Sequence, residues 1–275
     1  MRALSMNPDA LRSNQGMNDA PNADSRADVA SLFGTRIDAL SWELALVRIL
    51  RWADARESRM VCLCNVHSLV SAGADAGLRS ALQASDMNAP DGAPVAWMMR
   101  RLGWPEQQRL PGPDLMAKLL LEAARLRLPV FLLGATAPTL ALLAERLRTT
   151  LPGLPLAGTL SPPFRPLDDD DNALIAASIA GSGARLVLVG LGCPKQEKWM
   201  AAQRGRIPAV MVGVGAAFDY HAGTLSRAPA SWQRNGFEWL YRLLHEPARL
   251  AGRYMLTNTL FLLALPFEWW RRPRA

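Results

Sequence analysis

The sequence predicts an α/β domain built on a mostly parallel sheet with helices on both faces, followed by a helical, basic C-terminal appendage. Short apolar runs at residues 60–64, 129–134 and 185–190 alternate with segments of helical periodicity, which is typical of parallel strands joined by crossover helices. Half of the 275 residues are hydrophobic and 20% are charged. The chain can therefore bury a large core, and it does not have the composition of a disordered protein.

The elements of the core follow from the spacing of its apolar residues. Residues 1–35 are rich in Asn, Asp, Ala and Ser and lack the apolar core of a secretory signal, so we expect a flexible tail there. In residues 36–228, apolar residues three and four apart indicate helices, and short continuous apolar runs indicate buried strands. The predicted order is helical spacing over 37–47, a strand at 60–64, helices near 68–84 and 94–102, a helix at 114–127, a strand at 129–134, a helix at 138–150, a strand at 154–158, a helix at 172–182, a strand at 185–190, a helix near 195–204 and a strand at 209–213.

This alternation predicts a Rossmann-like sheet, in which ligands bind beyond the carboxyl ends of the strands. The acidic run 168–171 is expected to be a solvated helix start. The functional site should lie among the loops that follow strands, which are residues 65–67, 134–136, 158–164, 190–196 and 213–219.

Residues 229–275 differ from the core and form the predicted appendage. The whole chain has 31 basic and 24 acidic residues and a formal net charge of +7. Residues 227–275 alone hold eight arginines and three glutamates, together with Trp232, Trp239, Trp269 and Trp270. Arginine and tryptophan around an apolar helix are typical of attachment to an anionic membrane surface. The apolar run 254–267 is shorter than the roughly 20 residues of a membrane-spanning helix, so we expect an intracellular protein without a transmembrane segment.

Cysteine and histidine usage predicts neither disulfides nor a metal site. The three cysteines are too few for a disulfide framework, and we expect Cys62 and Cys64 to be core residues. Together with His67, His221 and His245 they do not give a four-ligand zinc pattern.

Two glycine turns after strands are the strongest local signals. In residues 190–198, Gly190 and Gly192 permit close backbone approach to phosphate or sugar oxygens, and Pro194 suits a helix start. This segment is neither a P-loop nor a dinucleotide-binding fingerprint. In residues 213–219, Gly215 precedes Asp219, which would either bind substrate or hold loop amides.

Three further polar positions precede or begin predicted helices. Asp91 lies in a Pro-Asp-Gly turn, and Arg109 lies in an apolar loop before Asp114, which we expect to be a helix N-cap. His67 belongs to a strand-end loop, where it is either a polar ligand-binding residue or a satisfied structural histidine. We expect His221 to be structural.

Together these segments resemble a known family. The Asn-Val-His-Ser-Leu-Val, Pro-Asp-Gly, Gly-Pro-Asp-Leu, Gly-Leu-Gly-Cys-Pro-Lys-Gln-Glu and C-terminal Glu-Trp-Leu-Tyr-Arg-Leu-Leu-His-Glu-Pro segments have the order and spacing of the WecG/TagA/CpsF glycosyltransferases. The resemblance covers roughly residues 35–258 and rests on several independent motifs. Residues 162–164 depart from it, because they read Pro-Pro-Phe where many members have Gly-Tyr-Phe, and Leu63 replaces a common Thr.

The resemblance implies an inverting enzyme of bacterial polysaccharide assembly. Such enzymes move a hexose-type sugar from a UDP-sugar to an undecaprenyl-diphosphate-linked saccharide without a required metal or other cofactor. It implies that Asp91 is the general base, that Arg109 faces the diphosphate and that Gln196 contacts the sugar.

The resemblance also implies a wider substrate-binding set. Its members are Asn65, His67, Gly92, Gly190, Gly192, Pro194, Gly215, Asp219 and three arginines of the appendage, Arg242, Arg249 and Arg253. It further implies a cytoplasmic enzyme held peripherally on the inner face of the cell membrane, and it leaves homo-oligomer formation open.

Two other function classes compete at this stage. A net charge of +7 would suit a nucleic-acid-binding protein, but the arginines form no recognised reading motif and residues 168–171 would repel phosphates. A nucleotide-dependent oxidoreductase would use a similar sheet, but the dinucleotide fingerprint is absent. We therefore expect no nucleic-acid partner.

Overall fold

The computed structural model of the chain describes residues 28–270, without the side chains at 249, 253–254 and 267–270. A hairpin of two antiparallel strands precedes six parallel strands. The hairpin strands are β1 (Val29–Leu32) and β2 (Thr35–Asp38). The parallel strands are β3 (Arg59–Cys64), β4 (Met87–Pro90), β5 (Val130–Gly134), β6 (Leu156–Leu160), β7 (Leu186–Gly190) and β8 (Val210–Gly213).

The six strands lie in the order β4-β3-β8-β7-β5-β6, and every neighbouring pair is parallel. The last strand in the chain, β8, therefore lies between β3 and β7 in the middle of the sheet. The crossover after β7 leads to β8, on the side of β7 that faces the β4 edge. The crossover after β5 leads to β6, at the opposite edge of the sheet. β5 and β7 are therefore neighbouring strands whose connections leave in opposite directions, which is the topology at which sheets of this kind bind ligands.

Twelve helices complete the described part of the chain. Their bounds are α1 (Trp42–Asp54), α2 (Val66–Ala74), α3 (Ala76–Ala84), α4 (Ala93–Arg101), α5 (Gly112–Leu126), α6 (Ala137–Thr150), α7 (Asp169–Gly181), α8 (Lys195–Gln203), α9 (Ala217–Ala222), α10 (Ala230–Arg234), α11 (Glu238–His245) and α12 (Pro247–Trp270).

Two apolar layers cover the two faces of the sheet, which confirms the predicted fold class. Leu132, Leu188 and Val212 point into one layer, and Leu133 and Val189 point into the other. Because both faces are buried, the strands are continuous apolar runs rather than alternating ones. Cys62 and Cys64 are fully buried in the second layer, as expected of core residues.

Three strands, β1, β2 and β4, were not predicted from the sequence. Strand β4 lies within a stretch that we expected to be a loop, because Met-Asn-Ala-Pro contains no β-branched residue. Residues 28–35, assigned to the flexible tail, include β1 and the turn to β2. The helix expected from Ile37 begins only after Ser41, whose hydroxyl caps it, and Ile37 lies in β2. Residues 1–27 lie outside the described part of the chain.

The acidic run has the predicted structure. Asp168 caps α7, and its side chain accepts a hydrogen bond from the Asp171 backbone at 2.8 Å. Arg165 forms ion pairs with the carboxylates of Asp168 and Asp171. The run is thus a solvated helix start, and its negative charge lies at the helix terminus where the macrodipole favours it.

The C-terminal helices lie against the core on one side and are exposed on the other. Helix α12 packs against α2, and the ring of Phe261 lies 5.2 Å from that of Phe33 in the hairpin turn. Leu250 and Phe261 are buried, whereas the large apolar side chains of Met255, Leu256, Leu260, Leu262 and Leu263 are exposed. Within residues 28–270, the apolar stretches of the helices are too short or too polar to span a bilayer.

Candidate active site

Asp91 and Asn65 follow neighbouring parallel strands and meet at the carboxyl end of the sheet. Cys64, the last residue of β3, lies beside Pro90, the last residue of β4. The Asn65 side chain donates from Nδ2 to Asp91 Oδ2 at 3.1 Å, and the Asp91 backbone N–H donates to the Cys64 carbonyl at 2.9 Å. Because the two strands are paired in register, Asn65 and Asp91 each follow the last residue of its strand, and their side chains come within hydrogen-bond distance at the same edge of the sheet.

The capping of α2 sets the orientation of the Asn65 amide. Asn65 Oδ1 accepts a hydrogen bond from the Ser68 backbone at 3.2 Å, and Ser68 Oγ accepts one from the Asn65 backbone at 2.9 Å. This capping box occupies the amide oxygen. The amide nitrogen is consequently the atom that faces Asp91.

Asp91 is also held from α5. The Gly112 backbone N–H, in the first turn of that helix, donates to Asp91 Oδ1 at 3.3 Å. Burial raises the pKa of Asp91 above its ordinary value, although the hydrogen bonds from Asn65 and Gly112 act in the opposite direction. A carboxylate with a raised pKa is a better proton acceptor than a solvated one.

A chain of four charged side chains joins the loop before α5 to the C-terminal helices. Arg109 Nη1 lies 3.0 Å from Glu238 Oε2, and Arg227 Nε lies 3.6 Å from Glu238 Oε1. The Arg227 guanidinium binds both carboxylate oxygens of Asp114, with Nη2 at 2.8 Å from Oδ2. Arg109 was predicted as a site residue, whereas Glu238 was known from the sequence only as the first residue of the C-terminal motif, because no local pattern connects residues so far apart in the chain.

The prediction that Asp114 caps a helix is wrong. Pro111 is the N-cap residue of α5, and Asp114 lies inside the first turn. The Asp114 carboxylate is engaged by the Arg227 guanidinium, which is a stronger partner than a single backbone amide.

The glycine turns lie close to one another at the ends of β5, β7 and β8. A Cβ atom on Gly134 would lie 2.5 Å from the Gly190 carbonyl carbon, and one on Gly190 would lie 2.9 Å from the Phe218 ring. Close packing, against backbone at Gly134 and against the buried Phe218 ring at Gly190, thus requires glycine at both positions. Gly192 and Gly215 have φ angles of +78° and +55°, which side chains disfavour.

Gly112 connects the two parts of the site. A Cβ atom there would lie 3.0 Å from the Val214 carbonyl oxygen in the loop after β8. The same residue donates its N–H to Asp91. The Asp91 loop and the glycine turns therefore form one continuous surface. Gly92 begins α4 with an ordinary φ of −85°, so its backbone does not require glycine.

Gln196 and Glu197 are buried beside the glycine turn that follows β7. Gln196 Oε1 accepts a hydrogen bond from the Gly192 backbone at 3.2 Å, and its Nε2 donates to Glu197 Oε1 at 2.9 Å. Only 4% of Gln196 and 1% of Glu197 is exposed. Burial raises the pKa of Glu197 above its ordinary value. Gln196 supports the turn in this arrangement, and its contact with a sugar stays a prediction.

The remaining polar positions have hydrogen-bond partners within the protein. His67 Nδ1 lies 3.3 Å from Ser71 Oγ one turn along α2. Asp219 Oδ1 accepts a hydrogen bond from Thr224 Oγ1 at 3.4 Å. The interpretation of His221 as structural agrees with its Nε2, which lies 2.8 Å from the Pro113 carbonyl oxygen. Pro194 directly precedes α8.

The appendage brings one of its predicted arginines to the edge of this surface. The guanidinium of Arg242 lies 5.8 Å from the centre of the Tyr220 ring, next to Asp219 in α9. The side chains of Arg249 and Arg253, as well as Trp269 and Trp270, lie outside the described part of the structure. Within the described residues, His, Cys, Asp and Glu side chains form no group of three that could hold a metal ion.

Comparisons with known proteins agree with the motifs. The profile of the glycosyl transferase WecG/TagA/CpsF family matches residues 30–275. One relative, the N-acetylglucosaminyldiphosphoundecaprenol N-acetyl-beta-D-mannosaminyltransferase of Bacillus spizizenii, is 36% identical over 185 residues, which are 67% of this chain and 69% of the relative. Neither the nucleic-acid-binding nor the oxidoreductase interpretation is supported by these matches. The chain therefore belongs to the WecG/TagA/CpsF family of glycosyl transferases.

Proposed function

We propose that this enzyme transfers a hexose-type sugar from a UDP-sugar to a saccharide linked to undecaprenyl diphosphate. The relative from Bacillus spizizenii is named for transfer of N-acetylmannosamine to N-acetylglucosaminyldiphosphoundecaprenol, and this supports the class of acceptor. The observation that carries the proposal is the position of Asp91, oriented by Asn65 and Gly112 beside the glycine turns.

In the proposed reaction, Asp91 acts as general base. The acceptor hydroxyl oxygen attacks the anomeric carbon of the donor from the face opposite to UDP, and the hydroxyl proton passes to the Asp91 carboxylate. The new bond between oxygen and the anomeric carbon forms as the bond to the UDP oxygen breaks, and UDP leaves with that electron pair. The configuration at the anomeric carbon is thereby inverted.

Arg109 is proposed to stabilise the leaving diphosphate. Its guanidinium is half-buried and uses Nη1 for Glu238, which leaves other N–H groups of the fork to bind phosphate oxygens. Positive charge at this point offsets the charge that develops on UDP, so the proposal needs no metal ion. Gln196, His67, Asp219 and the appendage arginines are proposed to complete the binding surface.

We further propose that the enzyme works peripherally on the inner face of the cell membrane. The exposed apolar side chains of α12 and the basic residues of the appendage support this placement. The acceptor class supports it as well, because a polyprenyl chain is held in the bilayer.

A donor screen tests the proposed function. The full-length enzyme is given UDP-glucose, UDP-N-acetylmannosamine or the corresponding uronic acids, with synthetic polyprenyl-diphosphate saccharides as acceptors. We expect UDP release and a lengthened lipid-linked saccharide with at least one donor. Absence of transfer from every UDP-sugar, in the presence of anionic vesicles, would refute the proposal.

A further inference from the structure

The C-terminal helices contribute one carboxylate to the surroundings of Asp91 that the proposed reaction does not use. Glu238 is the first residue of α11, and its side chain is only 17% exposed. It lies between two guanidinium groups, with Oε2 at 3.0 Å from Arg109 and Oε1 at 3.6 Å from Arg227. Both carboxylate oxygens of Glu238 therefore pair with arginines that precede the C-terminal appendage in the chain.

The partners of Glu238 are themselves fixed. Arg227 is held by the two oxygens of Asp114 in the first turn of α5. Arg109 has Glu238 as its one ion-pair partner among the described residues. The position of the Arg109 side chain thus depends on Glu238, whereas Arg227 keeps a second anchor if Glu238 is removed.

We propose that Glu238 is a positioning residue, which holds Arg109 in place and couples the C-terminal appendage to the catalytic loop. The inference rests on the proposed function, in which Arg109 faces the donor diphosphate and Asp91 takes the proton. A long arginine side chain without this anchor loses its preferred geometry, and binding a diphosphate would then cost side-chain entropy.

The charge of Glu238 also acts on Asp91. Burial is the largest cause of the raised pKa of Asp91, and the negative charge of Glu238 raises it further. The groups that act on the Asp91 carboxyl through charge or hydrogen bonds are Asn65, the Cys64 thiol, Arg109, the Gly112 N–H and Glu238. Glu238 is the one carboxylate among them, so removing its charge lowers the pKa of Asp91.

Three variants of the full-length protein separate the two effects. Glu238→Gln removes the charge but keeps an oxygen acceptor for Arg109. Glu238→Ala removes both charge and acceptor. Glu238→Asp keeps the charge on a shorter side chain. Glu145→Gln is the control, since Glu145 is an exposed glutamate that pairs with Arg148 on α6, away from the site.

The first measurement is the titration of Asp91 by NMR with carboxyl-labelled aspartate, in which Asp91→Asn identifies the signal. We expect the Asp91 midpoint to fall by about half a pH unit or more in the Gln and Ala variants. We expect it to stay near the native value in the Asp variant and in the Glu145 control. An unchanged Asp91 midpoint in both the Gln and Ala variants refutes the electrostatic coupling.

The second measurement is kcat/KM for transfer, together with the side-chain Nε–H signal of Arg109. We expect Glu238→Ala to lose about 100-fold in kcat/KM, as for a misplaced contact group, and to lose the ordered Arg109 signal. Glu238→Gln should retain that signal. An ordered Arg109 in the Ala variant refutes the positioning role.

The two proposals fail in different ways. Absence of transfer by the native enzyme refutes the proposed function, but the Asp91 titration and the Arg109 signal still decide the inference. If the Ala variant does not fold, the Gln variant carries the test through the Asp91 midpoint.

Discussion

Asn65 donates its side-chain amide to the Asp91 carboxylate across 3.1 Å, from the end of one parallel strand to the end of its neighbour. The contact makes a helix cap part of the site, because the oxygen of the same side-chain amide caps the first turn of α2. It also explains why Asp91 stays oriented although it lies in a short turn.

Replacing Asp91 tests the role of the base. Asp91→Asn keeps the side-chain shape and removes the proton acceptor, so we expect transfer to fall by about 10²–10⁴. UDP affinity and the circular dichroism spectrum should change little. Asp54→Asn is the matched control, since its carboxylate is exposed and pairs with Arg185. More than half of the native activity in the Asp91 variant would contradict the assignment.

Replacing Asn65 separates helix capping from the orientation of Asp91. Asn65→Ala loses the cap, which costs about 1 kcal/mol of stability, and it also loses the hydrogen bond that lowers the pKa of Asp91. Asn65→Asp keeps a capping oxygen but turns a second carboxylate toward Asp91. We expect the acid limb of the pH–rate profile to move to higher pH in both variants, with a lower melting temperature in the Ala variant only.

Replacing Arg109 tests the diphosphate contact. Arg109→Ala should weaken UDP binding about tenfold or more, the scale of one charge-assisted hydrogen bond, and should reduce turnover as well. Arg148→Ala, which removes an exposed arginine from α6, should do neither. Calorimetric titration with UDP is the measurement, and unchanged affinity would assign Arg109 to the acceptor or to structure.

The buried carboxyl of Glu197 predicts a pH-dependent stability. Because burial raises its pKa in the folded state, the folded protein binds this proton more tightly than the unfolded chain. Stability is therefore lost as pH rises from the unfolded pKa through the folded one. Glu197→Gln removes this loss and can still accept from Gln196, so its melting temperature should exceed the native one by a margin that grows as pH rises above the ordinary glutamate pKa and then levels off once the folded-state pKa is passed. A gain that does not change with pH would contradict the argument.

The exposed face of α12 predicts membrane attachment. The double substitution Leu262→Asp and Leu263→Asp places charge on two exposed leucines and should reduce flotation with anionic vesicles without unfolding the protein. Leu174→Asp, at a comparably exposed leucine of α7, is the control and should float as the native protein does. Equal flotation of all three proteins would contradict attachment through α12. High salt should release the native protein only in part, because apolar contact is not screened.

Strand and helix patterns in the sequence predicted most of the parallel sheet, because fully buried strands such as β5 and β7 are continuous apolar runs. Strand β4 was missed, because it has no β-branched residue and contains a polar residue, Asn88, whose buried side chain donates to the Leu82 carbonyl and whose backbone N–H donates to the Asp38 carboxylate. The sequence therefore indicated Asp91 as a turn residue but not as a neighbour of Asn65.

The part of the candidate site that the sequence did not predict is formed by contacts between distant parts of the chain. Glu238 approaches Arg109 only after the appendage has packed onto the core, and nothing in the local sequence around either residue predicts that approach. Such pairings depend on tertiary packing, which periodicity does not report.

The central place of β8 has a consequence for synthesis on the ribosome. β3 and β4 emerge first and β5 to β7 follow, but the two groups share no strand pair until residues 210–213 are available to join them. Until then β3 and β7 each present an open edge, the kind of surface at which nascent chains pair wrongly with one another. A chain released before Val210 would hold Asn65 and Asp91 on one fragment of sheet and the glycine turn of Gly190 on another. Strand β8 is thus the element that joins the two parts of the sheet and brings their loops together.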